Sequence, residues 1–232
     1  MGYDGFNTEK DILRERFIQG AKLVGAYDFP QIEPVHGFVD PALTPVVFHE
    51  CVKAKKPRQS IGHCFCHDEK FEPLWNNPER YVEMLRNFKW FCSPDFTCYT
   101  GLPLSVRLYQ TYKDRALAYY LSQRGVKIIP TVGWNEPESW GWCFDGLPKN
   151  SIVAVSTNGI QGRESEEHYR LGFSEMLRRL EPLQVVCIGH EVEVRENVDI
   201  IYFRNYSMQM RERLSHGKSR LATSHPETQA RP

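Results

Sequence analysis

The strongest constraint on the fold is a regular alternation of strand-like and helix-like segments in the second half of the chain. Short apolar runs at residues 126–132, 152–155, 185–188 and 199–203 indicate strands, and residues 137–144 and 165–180 indicate helices between them. Each run is apolar throughout, as expected when both faces of a strand are covered. This alternation predicts parallel strands joined by right-handed crossovers.

The first half adds weaker signals of the same kind. Further strands are predicted at residues 23–27, 45–49, 62–68 and 89–93, with helices at 11–20, 78–88 and 102–124. Eight strands with poorly marked early helices fit an irregular, barrel-like parallel (β/α) sheet, and an open doubly wound parallel sheet is the alternative. We expect one α/β domain over residues 1–206, followed by a polar, disordered tail over residues 207–232.

The charge balance bears on possible partners. Lysine plus arginine equals aspartate plus glutamate, at 29 each in 232 residues, so the formal net charge is zero. Nothing in this balance draws the whole molecule to nucleic acid or to an anionic membrane, so neither is an expected partner. The seven cysteines are odd in number and scattered, which favours reduced thiols and the cytoplasm of a bacterial host cell. No apolar run is long enough to cross a membrane.

Polar residues collect where the predicted strands end. Functional groups of parallel sheets gather at the carboxyl ends of the strands. The acids found there are the catalytic candidates, and the other polar or aromatic residues are the binding candidates: Asp28, Asp68, Asp95 and Glu136 for catalysis, and Trp134, Ser156, Thr157 and Asn158 for binding. Each acid also has a plain alternative role as a helix cap or turn residue.

The segment Ser93-Pro94-Asp95-Phe96 is the best-marked strand end. Pro94 lacks the backbone donor that a strand ladder needs, so the strand must stop there and leave Asp95 in the following loop. Asp95 is therefore a candidate general acid or base, or a carboxylate ligand of a divalent metal. The alternative is an Asx-turn that shapes the loop before the long helix.

Three other motifs leave alternatives open. Asn135-Glu136-Pro137 resembles the strand end of glycosidases that work with two carboxylates, so Glu136 could act with Asp95 or Asp68, although it also fits a helix start. The Cys and His residues of segment 63–68 alternate between two faces, so they are poorly placed to share one metal. Residues 156–159 fit an anion-binding loop or an ordinary turn.

A family resemblance rests on an ordered series of motifs. They are Leu74-Trp75-Asn76-Asn77-Pro78, Ser93-Pro94-Asp95-Phe96, Ile129-Pro130-Thr131-Val132-Gly133-Trp134, Phe144-Asp145-Gly146-Leu147-Pro148 and Val153-Ala154-Val155-Ser156-Thr157. Over roughly residues 20–205 the chain resembles the domain of unknown function 4417 family, whose members occur in bacteria, phages and other mobile elements. The resemblance implies an α/β domain of such elements and carries over no reaction and no catalytic residue. The chain departs from relatives at residues 64–67, before Asp68.

Two functions follow as hypotheses. The first is a hydrolase or lyase that uses the acids at the strand ends, with no cofactor specified and a divalent metal as an option. The second is a non-catalytic phage or mobile-element module that recognises a protein or a nucleotide through an exposed surface of Trp134, Trp140 and Trp142. The partner is accordingly a small molecule or a protein.

Overall fold

The computed structural model describes residues 11, 13–195 and 197–222. Its strands are β1 (Leu23–Val24), β2 (Phe29–Pro30), β3 (Thr44–Val47), β4 (Ser60–His63), β5 (Trp90–Cys92), β6 (Ile128–Ile129), β7 (Ile152–Ser156), β8 (Gln184–Ile188) and β9 (Ile200–Phe203). Its α-helices are α1 (Glu72–Asn76), α2 (Glu79–Arg86), α3 (Leu104–Gln123), α4 (Arg163–Leu180) and α5 (Tyr206–Ala222). Short 3-10 helices occupy Glu15–Phe17, Phe48–Lys53, Pro57–Gln59, Asp68–Lys70 and Pro137–Gly141.

Seven of the strands form parallel ladders in chain order. One sheet has the order β3-β4-β5-β6 and the other the order β7-β8-β9. A parallel bridge between Thr131 and Ala154 joins them, and the amide of Val132 donates to the carbonyl of Ala154 at 2.8 Å. No ladder pairs β3 with β9 in the described ranges, so the sheet is open, as in the alternative prediction, and the α/β class is confirmed.

The two faces of this sheet have separate cores. Phe91, Val153 and Cys187 point to the outer face and pack in one apolar cluster with α3 and α4. Their neighbours on the strands, such as Cys92 and Ala154, join a second cluster on the inner face. Because successive side chains of a strand alternate in direction, an all-apolar strand supplies both cores at once. This explains why the strands carry no polar–apolar alternation.

Side-chain contacts link the carboxyl ends of strands that are not neighbours in the sheet. The side-chain amide of Asn158, after β7, donates to the carbonyl of Phe65, after β4, at 3.2 Å. Asn205, after β9, donates to Asn158 Oδ1 at 2.7 Å. Gln209 of α5 reaches the carbonyl of Pro45 in β3 at 3.4 Å. Helix α5 therefore bridges the first and last parallel strands without a backbone ladder between them.

Three local predictions need correction. The prediction of a parallel strand at residues 23–27 is wrong, because β1 and β2 form an antiparallel hairpin. The predicted strand 126–132 shortens to β6, since Pro130 has no amide to extend the ladder. The predicted helix 11–20 is reduced to the 3-10 turn Glu15–Phe17 in the described residues.

The predicted tail is helical over part of its length. Helix α5 runs to Ala222, within the segment that the sequence analysis expects to be disordered, and residues 223–232 lie outside the described part. None of the helices in the described ranges is both long and apolar enough to cross a membrane.

Candidate functional site

The loop after β5 is anchored to β6 before it reaches Asp95. The buried side chain of Ser93 accepts the amide of Thr131 at 2.8 Å, and the hydroxyl of Thr131 donates back to the carbonyl of Ser93 at 2.7 Å. Pro94 then ends the strand, so the direction of the chain at Asp95 is set by two hydrogen bonds and a fixed φ. Asp95 therefore lies at the carboxyl edge of the sheet, as the sequence predicts.

Two carboxylates hold the same loop from either side. Asp68, after β4, accepts the amide of Thr97 at 3.0 Å and its hydroxyl at 2.7 Å. Asp114 of α3 accepts the amide of Phe96 at 2.8 Å. These bonds fix the backbone on the C-terminal side of Asp95. The carboxyl of Asp95 itself makes no hydrogen bond within the described part of the chain.

Burial and charge both disfavour ionisation of Asp95. Desolvation is the larger cause and the negative charge of Asp68 the smaller one, and together they raise the pKa of Asp95 from 3.8 to about 7, against the opposing charge of Arg115. Burial and the charge of Asp95 also raise the pKa of Asp114 well above its usual value. Asp95 is thus a carboxyl close to half protonation at neutral pH.

Helix α3 supplies three charged residues that the sequence reasoning did not single out. Lys113 stands 3.5 Å from the centre of the Phe96 ring, and its Nζ lies 3.8 Å from a carboxylate oxygen of Glu72. The buried Arg115 donates to the carbonyls of Asp145 (2.9 Å) and Cys143 (2.6 Å). The available signal was the run Lys-Asp-Arg at residues 113–115, directly before the apolar residues 116–121, because charged side chains that are buried need partners.

The residue opposite Asp95 on the next strand end is a glycine. A β-carbon added to Gly133 would stand 3.5 Å from Oδ1 of Asp95, in ordinary van der Waals contact. The ends of β4, β5 and β6 therefore meet around this carboxyl, with Asp68 on one side and Gly133 on the other. The structure brings Asp68 and Asp95 together as the sequence predicts.

Glu136 is paired with residues other than Asp68 and Asp95. It forms an ion pair with Arg107 of α3 and accepts the hydroxyl of Thr100 at 2.7 Å. Its partial burial acts to raise its pKa, but the bonds from Thr100 and Arg107 outweigh burial and lower the pKa overall. The charges that act on Asp95 are those of Asp68 and Arg115 and do not include Glu136. Its role in the structure is to hold the loops after β5 and β6 against α3.

Asp28 lies apart from these acids. It occupies the turn between β1 and β2 with a φ of 54°, a left-handed conformation that Asp tolerates better than most residues. Because the hairpin is antiparallel, the turn does not belong to the carboxyl edge of the parallel sheet.

The predicted binding residues make contacts with other parts of the protein. Trp134 packs on Tyr169 and Phe173 of α4, with ring centroids 5.3 and 6.4 Å away. Ser156 donates to the carbonyl of Ile188 at 3.0 Å, and the buried Thr157 donates to that of His190 at 2.8 Å.

The other predicted binding residues also contact the rest of the protein. Asn158 forms hydrogen bonds with Phe65 and Asn205, which follow β4 and β9. Trp142 is buried and Trp140 is half-buried, so the three tryptophans form part of the core rather than an exposed surface.

Metal ligands are not grouped in the described ranges. No set of three His, Cys, Asp or Glu side chains there is placed to hold an ion. His63 ends β4 on the inner face, stacked 5.8 Å from Phe65, whereas Cys64 belongs to the outer core. Cys66 also packs against the outer core, but β4 ends at His63, so the predicted strand over residues 62–68 is wrong beyond that residue.

The chain is similar to two phage proteins. It is 31% identical over 145 residues to a "Gene 1 protein" of Mycobacterium phage L5, covering 62% of this chain and 63% of that protein. It is 30% identical over 128 residues to a "Gene 1 protein" of Mycobacterium phage D29, covering 55% of this chain and 47% of that protein. The chain thus spans about half to two thirds of these relatives, and no solved structure matches it. The domain of unknown function DUF4417 matches residues 21–207, and the chain belongs to this family.

Proposed function

We propose that this protein is an acid–base enzyme, a hydrolase or lyase, with Asp95 as its catalytic residue. The observation that carries the proposal is the carboxyl of Asp95, which has a pKa of about 7, no hydrogen bond within the described residues, and a place at the carboxyl edge of a parallel sheet. A group half protonated at neutral pH can donate or accept a proton with little cost. Perturbed carboxyls at such edges are typical of catalytic sites.

In a hydrolysis, protonated Asp95 would give its proton to the departing atom of the substrate. Water would form the new bond to the electrophilic atom, and its remaining proton would return to the Asp95 carboxylate. In an elimination, ionised Asp95 would remove a proton from the carbon next to the one that bears the leaving group. The electrons of that C–H bond would form a double bond as the bond to the leaving group breaks, and Asp95 would pass its proton to the departing group. Asp68 acts as a positioning residue in both cases, because its charge helps to keep the pKa of Asp95 high and its bonds to Thr97 fix the loop.

The test is a screen of chromogenic esters, phosphodiesters and glycosides with the wild-type protein and two matched variants. We expect Asp95→Asn to abolish any turnover and Asp28→Asn, the same change in the distant hairpin turn, to leave it intact. The rate should change with an apparent pKa near 7, which should move down in Asp68→Asn because one negative neighbour is removed. An activity that Asp95→Asn retains in full, or no turnover of any substrate class, would rule the assignment out.

A further inference from the structure

The edge of the sheet opposite Asp95 is basic. Each of the strands β4, β5 and β6 is preceded by exposed cationic side chains at its amino end, namely Lys55, Lys56 and Arg58 before β4, Lys89 before β5 and Lys127 before β6. None of these five residues forms an ion pair within the described chain, whereas other exposed lysines such as Lys53 and Lys149 do. We call this set the basic edge. Because neighbouring strands are about 4.8 Å apart, it spans roughly 10 Å.

Two adjoining depressions open at the basic edge. The larger one has a volume of about 590 Å³ and is lined by residues 32–38 together with Lys89, Trp90, Ser122 and Lys127. The smaller one, of about 310 Å³, is lined by Lys55, Lys56, Arg58 and their neighbours. The amide of Lys89 donates to the carbonyl of Pro57 at 3.1 Å, so the two depressions share a wall. Both depressions are open to solvent, as expected of a surface that follows an extended ligand rather than one that encloses a small molecule.

The larger depression also offers aromatic surface. Phe38 is 70% exposed on its rim. The mostly buried ring of Trp90 forms part of the wall. The acid Glu33 is on the same wall and leaves the cations in excess. Aromatic side chains interleaved with unpaired cations are typical of surfaces that stack bases and follow a phosphate backbone.

We propose that the basic edge binds single-stranded nucleic acid, with phosphates along the five cations and a base against Phe38. The zero net charge argued against such a partner only for the molecule as a whole. The fold separates the charges, with Asp68, Asp95 and Asp114 grouped at the carboxyl edge and the five cations at the amino edge. A chain of phosphates fits better than one anion, because the cations lie in two adjoining depressions instead of converging on one point.

The experiment is fluorescence anisotropy with a labelled oligothymidine of about 12 nucleotides, within the range that single-strand sites cover. Five phosphate contacts predict a slope of log K against log salt of about −3.5, or about 100-fold weaker binding between roughly 50 and 200 mM salt. Lys89→Glu/Lys127→Glu should reduce the slope to about −2. The control is Lys53→Glu/Arg195→Glu, which makes the same change in net charge on exposed residues beyond the carboxyl ends of β3 and β8. This variant should retain the wild-type slope.

The variant Phe38→Ser tests the contribution of base stacking to binding separately from the contribution of charge. We expect it to weaken binding roughly tenfold at every salt concentration while leaving the slope unchanged, because a base stack is sequence-tolerant and uncharged. All of these residues are exposed, so the variants should fold, and a circular dichroism melt checks this. Three results would overturn the proposal: no binding at low salt, equal loss in both charge-reversal variants, or displacement of the oligonucleotide by inorganic phosphate at equal phosphate concentration.

Discussion

Asparagine at position 95 should stabilise the folded protein in a pH-dependent way. Asp95→Asn keeps the shape of the protonated carboxyl and removes the charge that burial and Asp68 disfavour. The pKa difference of 3.2 between the folded value of about 7 and the ordinary 3.8 corresponds to about 4 kcal/mol at 1.36 kcal/mol per unit. This is an upper limit, because part of the Asp95 surface stays accessible.

The sign follows from proton linkage. A group whose pKa is raised on folding stabilises the protein below its unfolded pKa, and this stabilisation is lost as the pH rises through the folded pKa. Asp95→Asn should therefore be neutral at or below pH 3.8, gain at most about 1.6 kcal/mol at pH 5, and gain about 4 kcal/mol above pH 7. No hydrogen bond of Asp95 within the described chain is lost to offset this gain.

The assay is urea unfolding followed by tryptophan fluorescence at several pH values between about 4 and 8. Asp28→Asn, in an exposed turn, is the control and should show no pH-dependent gain. A gain from Asp95→Asn that is the same at pH 5 and pH 8 would contradict the buried, protonated carboxyl. A loss of stability at every pH would show that Asp95 is charged and paired in the folded protein.

Three further perturbations test the packing around the site. Burial, and to a smaller extent the charge of His49, lowers the pKa of His63 to about 3. The wild-type protein should therefore lose stability as the pH falls below 6.5, the ordinary pKa of histidine. In thermal melts, the stability of His63→Phe relative to the wild type should be about 2 kcal/mol greater at pH 5 than at pH 7. Glu136→Gln should cost about 1–2 kcal/mol in urea unfolding, because it leaves a mostly buried guanidinium without its carboxylate, and a change under ~0.3 kcal/mol would contradict this. A β-carbon at Gly172 would overlap the indole of Trp134, so Gly172→Ala should cost about 1–3 kcal/mol and alter near-ultraviolet dichroism, whereas Gly141→Ala, with open space around it, should not.

The sequence predicted the parts of the fold that depend on local pattern. Continuous apolar runs such as residues 152–155 and 185–188 became β7 and β8 within one residue at each end, because a strand covered on both faces leaves a clear signature. Pro94 marked the end of β5 because a missing amide acts locally. The hairpin at residues 23–30 was missed, since apolar runs alone do not distinguish parallel from antiparallel pairing.

The site was predicted only in part, because the local sequence does not show which distant elements pack against it. Asp68 and Asp95 follow strands β4 and β5, which are neighbours in the sheet, so the rule for parallel sheets brought them together. Asp114 enters from a helix far along the chain, and nothing in its local sequence shows that it faces the loop after β5. Glu136 also follows a strand, but its ion pair with Arg107 depends on how α3 packs.

What the sequence alone determined is therefore the class of the fold, the edge at which Asp68 and Asp95 lie, and the family motifs along the chain. These depend on residues close in sequence. Only the tertiary structure decided that the sheet stays open, that the pKa of Asp95 is raised to about 7, and that five exposed cations collect at the amino ends of β4, β5 and β6. Burial and the distances between charges depend on residues that are far apart in the chain. The composition gives only the number of charges and not their positions.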